Sequence, residues 1–152
     1  MIQRKQTLFL LLAFILNAVC LCLPVATLVP EGMGVDQPMT NLWIVASDGP
    51  RDFTPWPLFA LLIVGTALAL IAIFLFRNRH LQAMLCMIGA LLMLSWLIVY
   101  VYFALTMGED RSCSFRLSFV AVIPVISFVL FLLARRGILA DEALVRSMDR
   151  IR

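Results

Sequence analysis

The side chains best able to do chemistry in this chain are four cysteines, Cys20, Cys22, Cys86 and Cys113, and a single histidine, His80. Thiol–disulfide exchange is served by Cys-x-x-Cys pairs, and none is present. Cys20 and Cys22 stand at i and i+2, so on a helix they point about 200° apart and cannot bridge. Cys113 reaches them only if its segment folds back over the end of the first apolar stretch. The sequence therefore reads the thiols as small hydrophobes plus one loop thiol, with disulfide chemistry as the lesser alternative. His80 sits in the basic turn Arg77-Asn78-Arg79-His80 with no second histidine and no acid nearby, which is no metal-ligand set. G-x-S-x-G, H-E-x-x-H and Walker patterns are absent. These residues name no catalytic, cofactor-binding or metal site, and they set the expectation of a non-enzymatic protein without cofactor or nucleic-acid partner.

The elements that carry these side chains follow from composition. Of 152 residues, 63% are hydrophobic and 14% charged, with a mean hydropathy of +1.03. A soluble domain of this size lacks the interior volume for so many apolar side chains. Four stretches, about residues 7–29, 58–76, 83–105 and 117–134, contain no Asp, Glu, Lys, Arg or His. Each approaches the ~20 residues needed to cross a ~30 Å hydrocarbon core. The short connections favour one all-α membrane domain, an up-down bundle of four transmembrane helices in the lipid bilayer. The first stretch is longer than a signal-peptide core, and no A-x-A-like site follows it.

Lys and Arg near the spans set orientation. Arg4, Lys5, Arg77, Arg79, Arg135, Arg136, Arg146, Arg150 and Arg152 would share one side, against Arg51, Arg111 and Arg116 on the other. Nine against three puts both termini in the cytoplasm. The first external loop, residues 30–57, is rich in Pro and Gly, and its run Leu42-Trp43-Ile44-Val45-Ala46 predicts a short strand or hairpin. Trp43 and Trp56 suit the membrane interface, although ligand or partner recognition by this loop is also open.

Inside a membrane, helices associate through small residues and buried polar groups. Ala13, Asn17, Cys20 and Pro24 fall on one face of the first helix, with Asn17 placed to hydrogen-bond across helices and Pro24 to kink the outer end. Gly65, Ala69 and Ala72, and Cys86, Gly89 and Ala90, offer close approach in the second and third; Pro124 and Ser127 bend and line the fourth. Ion-coupled transport is disfavoured, because such carriers place ionisable groups within the membrane.

Ala134-Arg135-Arg136-Gly137 reads as the stop of the fourth span, with Gly137 as an αL cap. Residues 141–152 then read as a separate short helix capped by Asp141. Leu144, Met148 and Ile151 share its apolar face, while Arg146, Arg150 and Arg152 lie off it. Such a helix would lie on the inner membrane surface or dock an unidentified protein partner.

The opening Met1-Ile2-Gln3-Arg4, Gln6-Thr7-Leu8 and Leu23-Pro24, with the ending DEALVRS from Asp141 to Ser147, Asp149-Arg150 and Ile151-Arg152, resembles a family. That family is a Bacteroidota membrane group catalogued as domain of unknown function 4293, and the resemblance covers essentially the whole chain in length and layout. It implies a four-helix protein of the bacterial inner membrane and supplies no activity. The expected role is an accessory or scaffold protein acting through its tail helix. Binding or passage of an apolar, lipid-like molecule is the alternative.

Overall fold

The computed structural model describes residues 3–30, 34–45, 49–75, 78–110 and 113–149. Four α-helices dominate: α1 Gln3–Cys22, α2 Trp56–Phe74, α3 Arg79–Asp110 and α4 Ile123–Asp149. Three short strands, β1 Ala26–Pro30, β2 Gln37–Met39 and β3 Cys113–Leu117, and a 3-10 turn at Phe119–Val122 complete the described elements. α2, and the described apolar parts of α3 and α4, are long and apolar enough to cross a membrane, whereas the corresponding part of α1, Gln6–Cys22, is shorter.

The helices pack around a ring, α1 and α3 each lying between α2 and α4. Small residues set the spacing as expected. Gly65, Ala69 and Ala72 of α2 are buried, as are Cys86, Gly89 and Ala90 of α3. A Cβ on Gly89 would come within 2.6 Å of the Phe131 ring, so α3 and α4 are in contact there. Leu10, Leu62, Met93, Trp96 and Phe131 fill the interior.

The largest differences from the sequence reading lie at four helix ends. α1 stops at Cys22, not at residue 29, because Pro24 disfavours helix in the residue before it and the chain then turns into β1. Pro24 thus ends the helix instead of kinking it, and it is exposed, while Ala13, Asn17 and Cys20 are fully buried. α3 runs on to Asp110, since Phe103 and Met107 find cover. α4 begins at Ile123, not residue 117, which puts Pro124 in its first turn where a missing N–H is harmless. It then passes straight through Arg135-Arg136-Gly137. Ala134, Ile138 and Asp141 are buried at i, i+4 and i+7, so one packed stripe carries the helix onward. Gly137 serves a close approach, a Cβ there lying 3.0 Å from the Gln6 side chain, and Asp141 is a mid-helix residue, not a cap.

The β-structure also lies elsewhere than in the 42–46 run. β1 is central, pairing antiparallel with β2 (Ala26 opposite Met39) and with β3 (Ala26 opposite Leu117, Pro30 opposite Cys113). The expected strand is reduced to isolated bridges of Ile44 to Met39 and Asp52, with the Val45 N–H donating to the Pro38 carbonyl at 3.1 Å; Ala46 lies outside the described residues.

Candidate functional site

Two polar clusters tie the helices together, one at each end. At the sheet end, the Asn41 side chain is fully buried and works in both directions. Its Nδ2 donates to the Cys20 carbonyl at 2.7 Å, and its Oδ1 accepts from Trp96 Nε1 at 3.1 Å. The Cys20 carbonyl is in the last turn of α1, where backbone acceptors lack intrahelical partners. Asn41 therefore closes a helix end and satisfies a buried indole at once. Tyr100 stacks on Trp96 with ring centroids 5.0 Å apart, and its hydroxyl donates to the Val25 carbonyl at 2.8 Å. Trp43, half-buried, lies under the Arg51 guanidinium, 4.8 Å from its ring centroid, and Trp56 is exposed.

At the end where α1 begins and α4 finishes, Gln6 Nε2 of α1 donates to Asp141 Oδ2 of α4 at 2.6 Å, both groups buried. Arg79 Nη1 at the start of α3 reaches the Asp141 carbonyl at 3.5 Å. Gln82 Nε2 donates to the Ala72 carbonyl at 2.9 Å, holding α2 to α3. Three helices thus meet on Asp141. Beside this clamp runs an open groove between the start of α3 and the end of α4. It comprises a hollow of about 450 Å³ lined by Asn78, Arg79, His80, Leu81 and Glu142. A second, of about 340 Å³, shares His80 and Glu142 and adds Leu139 and Ala143. This wall of guanidinium, imidazole, amide and carboxylate beside leucines suits contact with an amphipathic surface. Among the described residues, no group of three or more His, Cys, Asp or Glu could hold a metal ion.

The residues singled out by sequence are distributed as follows. Leu144 lies on the α4 extension, 54% exposed, next to exposed Val145. Arg146 and Met148 fall within the helical stretch, their side chains outside the described structure, and Arg150, Ile151 and Arg152 lie outside the described residues. Asn17 is fully buried, as its face predicts, yet neither of its side-chain atoms has a hydrogen-bond partner among the described residues; the same holds for Ser127 Oγ. Among the described residues, the expected cross-helix bond of Asn17 has no partner. Cys20 and Cys86 are buried thiols and Cys22 is exposed. The segment bearing Cys113 does fold back, but its register sets Cys113 opposite Pro30, the far end of β1 from α1. Four strand steps of about 3.4 Å separate Pro30 from Ala26, which keeps Cys113 from Cys20.

Gln6, Asn41 and Trp96 have no role in the sequence reading, and Asp141 only that of a helix cap. Trp96 carried a usable signal, since a buried indole N–H requires an acceptor. Gln6 and Asp141 offered none, because their pairing spans 135 residues of sequence.

The family profile described as domain of unknown function (DUF4293) matches residues 2–151 of the chain. No curated protein matches it.

Proposed function

Starting from the fact that the chain belongs to the DUF4293 family, we propose that it is an integral inner-membrane protein of four transmembrane helices with both termini cytoplasmic. In this reading it is a non-enzymatic accessory or scaffold protein, and the end of α4 is its docking element. The nine-to-three distribution of Lys and Arg supports the orientation. The α1 core is short for a span, but 17 residues at about 1.5 Å each lie at the lower limit for crossing, and the sheet continues directly from it.

The observation that carries the functional reading is the continuity of α4 through Gly137 to Asp149, pinned at Asp141 by Gln6. A helix of 27 residues is about 40 Å long, some 10 Å more than the hydrocarbon core. Its last turns therefore stand off the membrane as a rigid projection with Leu144 and Val145 exposed, and a partner meets them without having to order a loose tail. Lying flat on the inner surface would require a break near Gly137, and the buried stripe through Ile138 opposes one.

The test is a Leu144→Asp, Val145→Asp double variant, compared with the native chain by in-cell crosslinking and mild-detergent purification. The same protein should copurify stoichiometrically with the native chain and drop at least tenfold with the variant, while membrane level stays unchanged. An identical set of crosslinked proteins in both sinks the docking role.

A further inference from the structure

In the bilayer reading, on which this inference rests, the sheet sets the outer limit of the hydrocarbon. β2 and β3 are its edge strands, and unpaired strand edges do not face lipid tails. The Tyr100 hydroxyl donates to the Val25 carbonyl at 2.8 Å, at the foot of β1, so that limit lies near Tyr100. Twenty residues back along α3 stands His80, a rise of about 30 Å and one hydrocarbon thickness. The groove between the start of α3 and the end of α4 therefore opens at the level of the inner headgroups. Arg79 Nη1, reaching the Asp141 carbonyl at 3.5 Å, links its two walls there.

Both signs of charge line this groove. Arg79 and His80 stand on the α3 side with the Asn78 amide, and the Glu142 carboxylate stands on the α4 side. One Arg79 N–H is directed to Asp141, which leaves the rest of the guanidinium fork for a phosphate. α3 has no acid in its first turn, so the positive end of its dipole adds to that wall. Glu142 already interacts within the chain, but a carboxylate has room for a further donor. A headgroup carrying a phosphate and a protonated amine meets both walls. A purely anionic one would set a second negative charge against Glu142, and a quaternary ammonium has no N–H to give it.

The membrane side of the groove suits acyl chains. Leu81 and Leu139 are exposed on its walls. Exposed Met84 and Met87 follow His80 at i+4 and i+7, toward the membrane centre. The larger hollow, about 450 Å³, falls within the range of roughly 300–1,000 Å³ for small-molecule sites.

We propose that this groove holds the headgroup of one phospholipid bearing ethanolamine phosphate. Arg79 and His80 take the phosphate, Glu142 the ammonium, and Leu81 and Met84 the start of the acyl chains. The test is native mass spectrometry of the full chain released from nanodiscs of equal parts phosphatidylethanolamine, phosphatidylcholine and phosphatidylglycerol. The native chain should retain one ethanolamine lipid, about tenfold over either of the others, the scale of one charge-assisted hydrogen bond. Glu142→Gln should erase the preference over choline, and Glu142→Lys should turn it toward phosphatidylglycerol. Glycerophosphoethanolamine, the same headgroup without acyl chains, should not displace the lipid at equal concentration. Equal retention of the three lipids, a native preference for another of them, unchanged selectivity in Glu142→Gln, or displacement by the soluble headgroup overturns the site. Recovery of the chain outside the membrane fraction would instead remove the bilayer reading, and the lipid site with it.

Discussion

Asn17 and Asn41 are both fully buried amides, yet their energetics differ in sign. Asn41 supplies an acceptor to Trp96 and a donor to Cys20, whereas Asn17 has no partner among the described residues. A buried polar group left unsatisfied costs about 1–3 kcal/mol, and removing the orphan itself relieves that cost. Asn41→Leu orphans the Trp96 indole and the Cys20 carbonyl and should destabilise by about 2 kcal/mol or more. Asn17→Leu should leave stability unchanged or raise it by about 1 kcal/mol. Thermal unfolding in detergent distinguishes the two, and a large loss on Asn17→Leu would mean that the amide is bonded after all.

Elements are held at distances set by glycine, but Gly89 and Gly65 are not equivalent. A Cβ on Gly89 meets the Phe131 ring at 2.6 Å, a rigid side chain that is itself fully buried. A Cβ on Gly65 meets only the terminal methyl of Met93, which rotates away easily. Gly89→Ala should therefore separate α3 from α4 and cost about 1–3 kcal/mol. Gly65→Ala should be near neutral, because the gain in helix propensity of about 1 kcal/mol offsets a small repacking. Equal midpoints in detergent unfolding for the two variants would show that the α3–α4 approach is looser than described.

For the whole molecule, the two polar clusters brace opposite ends of an apolar helical body whose interior is occupied by large side chains. Leu10, Met93, Trp96 and Phe131 fill the space that passage of an apolar molecule between the helices would use. Orientation is tested by proteolysis: a C-terminal tag should survive protease added to spheroplasts and be lost in inverted inner-membrane vesicles. The reverse pattern overturns the positive-inside assignment.

The sequence by itself determined the apolar stretches, their charge bias and the small-residue faces, because these are local properties of composition and of a 3.6-residue period. Ala13, Asn17, Gly65, Cys86 and Gly89 all lie on the buried faces that spacing assigned to them. What only the tertiary structure decided are the ends of the elements and the clusters that brace them. Gly137 and Asp141 carry the local signals of a cap, yet α4 continues because Ile138 and Asp141 are buried and Asp141 meets Gln6 at the other end of the chain. β1 reads as the tail of an apolar span until its partner, β3, arrives from beyond α3. A strand needs a neighbour for its hydrogen bonds, and that neighbour is supplied by the packing of α3, not by the residues next to it in sequence.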